Sequence, residues 1–247
     1  MQRIFRRYEA KYLITEAQRE TLFGVFLQHM NPDRFESYLV QNLYFDTKHW
    51  DIIRTSIEKP LYKEKMRLRC YGEEVLESKV FLELKKKYKG IVHKRRIALS
   101  NMRLSGKEIE DIVAEEASQI SHELAFHLEE KQVYERMYIS HKRCAFVGAA
   151  DKGLRVTFDT DVCYRVQGLT FEQPERGTPI LSRDTVILEI KTPGGIPLWL
   201  ARTLSKLKIY PTSFSKYGTC YTDYMQKQKE RSVTPCLTSY RSLRVKV

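Results

Sequence analysis

The sequence predicts an α+β domain: an eight-stranded antiparallel β tunnel, a closed barrel with a cationic interior and helices packed outside. Three observations lead there. First, two neighbouring runs alternate strictly. Lys63, Lys65, Arg67 and Arg69 oppose Glu64, Met66, Leu68 and Cys70, and Val80, Leu82 and Leu84 oppose Phe81, Glu83, Lys85 and Lys87. Successive strand side chains face opposite ways, so each run has one aliphatic face and one rich in cations. Second, Gly90 offers a turn into Val92–Ile97, where Lys94 and Arg96 share a face, and every well-marked strand but the second repeats the pattern. Third, 43 Lys and Arg against 31 Asp and Glu give a net charge of +12. Such strands either lie in an ordinary sheet with a solvated side or curl with their charges inward. Inward cations facing one another are unfavourable without an anion, so the curled arrangement implies a polyphosphate-like ligand.

The elements follow in order. Ile4–Ile14 reads as a strand with Glu9 and Lys11 on one face. Thr15 caps a helix from Glu16 to Met30, whose Leu22, Phe23, Phe26 and Leu27 gather on one side. Asn31-Pro32-Asp33 ends it. Tyr38–Phe45 is the second strand, and His49–Glu58 a short helix. After the three central strands, two amphipathic helices are expected over Lys107–Ala117 and Ser121–Lys131. Val133–Val147 is a long strand, with Tyr134, Arg136 and Tyr138 on one face. Gly153–Asp159 turns at Thr160-Asp161 into Val162–Val166. Residues 168–183 read as an irregular, flexible or substrate-gated loop. Val186–Lys191 puts Glu189 and Lys191 opposite Val186, Leu188 and Ile190. Pro197 opens a helix to about Leu207, and Tyr217–Lys229 is the last.

Residues 1–229 are expected to form one domain and 230–247 a loose basic tail. Five scattered cysteines without a Cys-x-x-Cys pair fit a reducing compartment and neither a disulfide framework nor a zinc site. The charged N-terminus does not read as a signal peptide, and no apolar run approaches the roughly 20 residues of a membrane helix. The expectation is a cytoplasmic protein.

Several short pieces, in order, carry a resemblance. They are Tyr8-Glu-Ala-Lys11, Asn42-Leu-Tyr-Phe-Asp-Thr47, Lys65-Met-Arg-Leu-Arg69, Leu82-Glu-Leu-Lys85, Lys94-Arg-Arg96, Tyr134-Glu-Arg136, Leu154-Arg-Val-Thr-Phe-Asp159, Leu188-Glu-Ile-Lys191 and Phe214-Ser-Lys-Tyr217. The chain resembles the VTC domain, the polyphosphate polymerase branch of the triphosphate tunnel (CYTH-like) superfamily. That resemblance implies an eight-stranded tunnel whose Lys and Arg grip a triphosphate or polyphosphate. It makes Lys11, Arg67, Arg69, Lys85, Lys94, Arg96, Arg136 and Arg155 phosphate-binding, with Tyr134, Ser215 and Lys216 at one mouth. Lys65 and Lys191 join them on the same strand faces. Arg67, Arg69, Lys85, Arg136 and Glu189 are the catalytic candidates, and Glu189 the ligand for Mn²⁺ or Mg²⁺, with Glu9 and Glu83 as further metal candidates. The hydrolase branch opens Glu-x-Glu-x-Lys; here the first position is Arg7, which favours the polymerase branch. Relatives of the family sit in membrane-tethered assemblies, so a channel role would need a membrane-protein partner.

The implied partners are ATP or another triphosphate and inorganic polyphosphate. Phosphoryl transfer needs positioning and charge neutralisation more than a nucleophile, which suits a chain without a Walker or Gly-x-Gly-x-x-Gly pattern. Glu9, Glu83 and Glu189 each sit two residues before a Lys, so each is an ion-pair partner or a site carboxylate. Ser215 is a helix cap or a phosphate contact. His122 and His127, five apart, do not share a helix face and do not make a zincin site. Alternatives to the polymerase are a metal-dependent triphosphatase and a non-catalytic polyphosphate or nucleotide-binding module. Nucleic acid is not expected, because carboxylates share the cationic faces.

Overall fold

A computed structural model describes residues 8–33, 37–72, 80–89, 91–99, 118–174 and 176–241, together with Ile109 and Val113. The expected strand start at Ile4 and most of the expected helix 107–117 lie outside them. Ile109 and Val113 are both fully buried in the core.

The chain is α+β, with an antiparallel sheet and five helices among the described residues. Strands β1 (Tyr8–Thr15), β3 (Tyr38–Asp46), β4 (Tyr62–Tyr71), β5 (Val80–Tyr88), β6 (Ile91–Leu99), β7 (Tyr134–Gly148), β8 (Arg155–Arg165) and β10 (Thr185–Thr192) form its continuous path. Their order is β1-β10-β8-β7-β3-β4-β5-β6. Two short strands were not expected: β2 (Met30–Pro32) pairs with β7, and β9 (Thr178–Pro179) with β8. The expected closed barrel is corrected here. Among the described residues no pairing joins β6 to β1, so the sheet is open along that seam. The ends nevertheless curl together, because Lys85 of β5 reaches within 3.9 Å of Glu9 on β1.

Alternation sorts the two faces. Ala10, Tyr12 and Ile14 of β1 and Val186, Leu188 and Ile190 of β10 turn outward onto α1 (Glu16–His29) and α4 (Leu198–Lys206). Thr15 caps α1 as the sequence suggests, in a reciprocal pair with Gln18. Met66, Leu68, Leu82, Leu84 and Ile97 turn outward under α3 (Gln119–Lys131), whose Glu123 takes Lys86 at 2.7 Å and Arg95 at 2.8 Å. These two cations therefore belong to the exterior. The opposite parity on β1, β10, β4, β5 and β6 gives the concave, charged face.

One end of the concavity is filled by helices. Asp46, at the end of β3, accepts the Ile52 and Ile53 amides of α2 (Asp51–Ile57) and the Tyr217 hydroxyl at 2.8 Å. Tyr217 opens α5 (Lys216–Arg241) and stacks on Tyr44 at 4.3 Å. This helix, expected to stop at Lys229, continues to Arg241.

The loop after β8, expected to be flexible, is organised by Arg165. Its guanidinium donates to the carbonyls of Gly168 (2.8 Å), Gln173 (2.8 Å), Arg176 (2.9 Å) and Thr170, and lies 3.5 Å above the Tyr138 ring. One delocalised cation with five donors can satisfy a whole turn of carbonyls. Arg165→Ala is expected to loosen this loop by about 2 kcal/mol or more. Limited proteolysis should then show several-fold faster cleavage between Gly168 and Arg176, with the global unfolding midpoint moved far less.

Candidate functional site

The concave face is built from three connected groups. The first centres on Glu83 of β5, which is 1% exposed. Register places it opposite Arg67 on β4 and Arg96 on β6. Arg67 donates to it through Nε (3.0 Å) and Nη2 (2.9 Å), and through Nη1 to the Tyr44 hydroxyl (2.9 Å). Lys94 lies 2.5 Å, Arg96 3.5 Å and Arg69 3.8 Å from the same carboxylate. Arg69 is further fixed by donating to Asn42 Oδ1 at 2.9 Å. Burial pushes the Glu83 carboxyl up, but Arg67, Arg69 and Lys94 overcome it and hold it at about 2.

The second group is a cluster of lysines from the paired strands β4 and β5, joined by Lys11 of β1. Lys65, directly opposite Lys85 on the neighbouring strand, is crowded by Lys11 of β1, Lys63 of its own strand and Lys85. Burial, and then these ammonium groups and Arg67, push Lys65 down to about 7. It has no ion pair among the described residues; its one hydrogen bond is to Ser215 Oγ at 2.9 Å. Among the described residues Lys11 reaches Glu9, at 3.8 Å, and the Phe214 carbonyl, at 3.2 Å. Here positive charge exceeds what the fold neutralises.

The third group lies on β10, β8 and β7. Glu189 pairs with Lys191 at 2.7 Å. Burial raises its carboxyl, but Lys191, Lys11 and Arg143 hold it at about 2. Asp159, wholly buried, accepts Arg143 through both oxygens (2.6 and 2.8 Å) and Lys216 at 2.5 Å. His141 is 3.6 Å away. Burial opposes ionisation of Asp159, yet Lys216, His141 and Arg143 hold it well below the usual carboxylate range. Ser215 also accepts the Gly218 amide at 3.2 Å, so it is the cap of α5 as well as a partner of Lys65.

The structure thus brings Lys11, Lys65, Arg67, Arg69, Lys85, Lys94, Arg96, Glu9, Glu83, Glu189, Lys191, Ser215 and Lys216 to one face. Arg155 is exposed beside Lys191 on the adjoining strand. Arg136 lies at the end filled by α2 and α5: its guanidinium covers the Trp50 ring at 4.2 Å and donates to the Lys48 carbonyl and Tyr134 hydroxyl, both at 3.3 Å. Sequence reasoning missed Arg143, Asp159 and His141. It named Lys65 but missed the crowding that lowers its basicity, which no motif encodes.

For a divalent metal, no group of three or more His, Cys, Asp or Glu side chains able to hold an ion occurs among the described residues. An all-protein cage is therefore not offered. The donors present suit a hard cation bound by one or two carboxylates and completed by phosphate and water, with Glu189 and Glu9 on the same face.

The VTC domain family model matches residues 6–224. The chain belongs to the VTC domain family. This VTC domain matches no curated protein. Among solved structures it is similar to a Vibrio parahaemolyticus protein described as a candidate adenylate cyclase, at 11% identity and TM-score 0.47, covering 87% of this chain and 97% of that one. It is also similar to a chain of the Schizosaccharomyces pombe Mediator head module, at 12% identity and TM-score 0.45 over 82% and 90%. A Pyrococcus horikoshii protein aligns at 14% identity and TM-score 0.39 over 81% and 86%. Likenesses of this size carry no functional argument for the VTC domain. Among its described residues no helix is long and apolar enough to cross a membrane.

Proposed function

We propose that this VTC domain is a polyphosphate polymerase-type phosphotransferase, moving the γ-phosphate of ATP to a growing inorganic polyphosphate held along its concave basic face as in a tunnel. The observation that carries the reading is the lysine cluster around Lys65, where Lys11, Lys63 and Lys85 crowd a partly buried ammonium that has no ion pair among the described residues. A site that depresses the basicity of its own lysine is one that a polyanion relieves. Family membership supports phosphate chains as that polyanion.

Catalysis of this kind rests on in-line positioning and on charge placed around the transferring group. Glu83, Tyr44 and Asn42 hold Arg67 and Arg69 rigid before substrate arrives. Three of Arg67's five donors are used in this way, and the other two, without a partner among the described residues, are offered to phosphate oxygens. Lys65, Lys85 and Lys11 supply charge to the equatorial oxygens. The terminal phosphate of an acceptor chain is already ionised, so its attack requires no protein base. Glu189, with Glu9 beside it, would hold Mn²⁺ or Mg²⁺, which when bound draws charge from the phosphoryl oxygens. The nucleotide is held by its phosphates, so ATP, GTP and tripolyphosphate should compete at similar strength and weaken together as salt rises.

The test is incubation of purified protein with ATP and Mn²⁺, with products run on a polyphosphate gel beside a phosphate-release assay. Chains of increasing length with ADP are expected. Orthophosphate without chains would make the protein a triphosphatase, and binding without turnover a passive module; either result overturns the polymerase reading.

A further inference from the structure

Ser215 stands where the substrate phosphates are expected, yet its contacts are those of a nucleophile and not only of a ligand. Its Oγ is 2.9 Å from Lys65 Nζ and 3.2 Å from the Gly218 amide, and no other partner of that oxygen occurs among the described residues. It precedes α5, a 26-residue helix, so a phosphate formed on this oxygen would lie at the positive end of the helix, beside the Gly218 amide. Lys11 donates to the neighbouring Phe214 carbonyl at 3.2 Å, and Lys216 follows in sequence, bound to Asp159. We propose that Ser215 is a covalent acceptor of the nucleoside triphosphate's terminal phosphate, with Lys65 taking the hydroxyl proton.

A serine hydroxyl is a weak nucleophile until an adjacent base removes its proton, and an uncharged lysine in hydrogen-bond contact is such a base. Burial and the surrounding cations hold Lys65 at about 7 before ATP binds. Bound phosphates raise its proton affinity, so the neutral share that acts as base in the complex is smaller and labelling of Ser215 should rise with pH. In the neutral state the 2.9 Å contact reverses, with Ser215 donating and Lys65 accepting. The step balances. The Ser215 Oγ–P bond forms and the bond from the γ-phosphorus to the β,γ-bridging oxygen breaks. ADP departs with that electron pair, and the proton ends on Lys65 as an ammonium beside the new phosphoserine. Such a phosphoserine would present a terminal phosphate to the next ATP, so the protein could begin a chain without a free primer.

The inference rests on the reading of ATP in this site, and one experiment separates the two. Purified protein is incubated with γ-labelled ATP and Mn²⁺, denatured, freed of bound polyphosphate and mapped by tandem mass spectrometry, while soluble products are run on a gel. Label on Ser215 is expected, lost in Ser215→Ala and retained in Ser215→Thr. In Lys65→Arg, which keeps the charge but cannot act as a base near neutral pH, label should fall at least tenfold while tripolyphosphate still binds. Polyphosphate made with no label on Ser215 would overturn the inference and leave the polymerase reading standing, as would full labelling of Lys65→Arg. If ATP neither binds nor turns over, the reading of the site fails and the inference with it.

Discussion

Glu83→Gln is expected to destabilise the ligand-free protein by about 3 kcal/mol, because it leaves a set of converging cations without their shared counter-charge. The size can be checked against titration. The carboxyl sits at about 2 in the fold against 4.5 when unperturbed, a difference of roughly 3 kcal/mol by linkage. The sign follows from the depressed value. The contribution is complete above about pH 4.5 and is lost as pH falls through 2, because protonation neutralises Glu83 while Arg67, Arg69, Lys94 and Arg96 stay charged. Denaturant melts should therefore show a lower wild-type stability at pH 3 than at pH 6, and a flatter profile in the variant. A polyanion replaces the missing charge, so saturating tripolyphosphate should recover most of the loss. A variant as stable as wild type at pH 6 would mean that the arginines are solvated and not held by this carboxylate.

Glu189→Gln is expected to cut metal-dependent turnover by on the order of a hundredfold or more, with metal-free binding of tripolyphosphate unchanged or tighter. The substitution keeps the shape and removes one negative charge from a site that Lys191, Lys11 and Arg143 already make positive. Arg67→Ala should behave oppositely, weakening binding itself, since it removes both a proposed phosphate donor and the partner that fixes Glu83. The discriminating measurement is turnover across a Mn²⁺ titration alongside calorimetric binding in chelator. Full turnover by Glu189→Gln at every metal concentration would reduce Glu189 to a counter-ion for Lys191.

Much of the architecture was readable because period-two alternation is local. The parity that put Lys65, Arg67 and Arg69 on one face of β4 survives in the structure, as does that of Glu83 and Lys85 on β5. Thr15 caps its helix through its side chain as expected, and Pro197 stands one residue before the helix it was expected to open. Alternation fails where a strand shifts register. On β7 the shift near Tyr44/Phe45 sends Arg136 to Trp50, and the shift between Ser140 and Lys142 returns Arg143 to the concave face beside Asp159. Asp161, with φ of 51°, bends β8 within one strand where the sequence suggested two. Closure was not readable either. Whether the end strands meet depends on accumulated twist and on contacts such as Glu9 with Lys85, which no local pattern fixes. The Arg165 cage shows the same limit, since its carbonyl acceptors are backbone atoms invisible to a composition reading.

The central claim, that the lysines around Lys65 form a polyphosphate site, is tested most directly by calorimetric titration of tripolyphosphate across pH in wild type and Lys65→Met. Burial and the neighbouring cations push Lys65 down to about 7, and a bound polyanion is expected to raise its proton affinity again. Binding should therefore take up a proton above that pH and weaken as pH rises from 6 to 9. Lys65→Met should bind about tenfold more weakly at pH 6, close to 1.4 kcal/mol, and lose most of that pH dependence. Wild-type affinity and an unchanged pH profile in Lys65→Met would contradict the account and place the phosphate chain elsewhere on the protein.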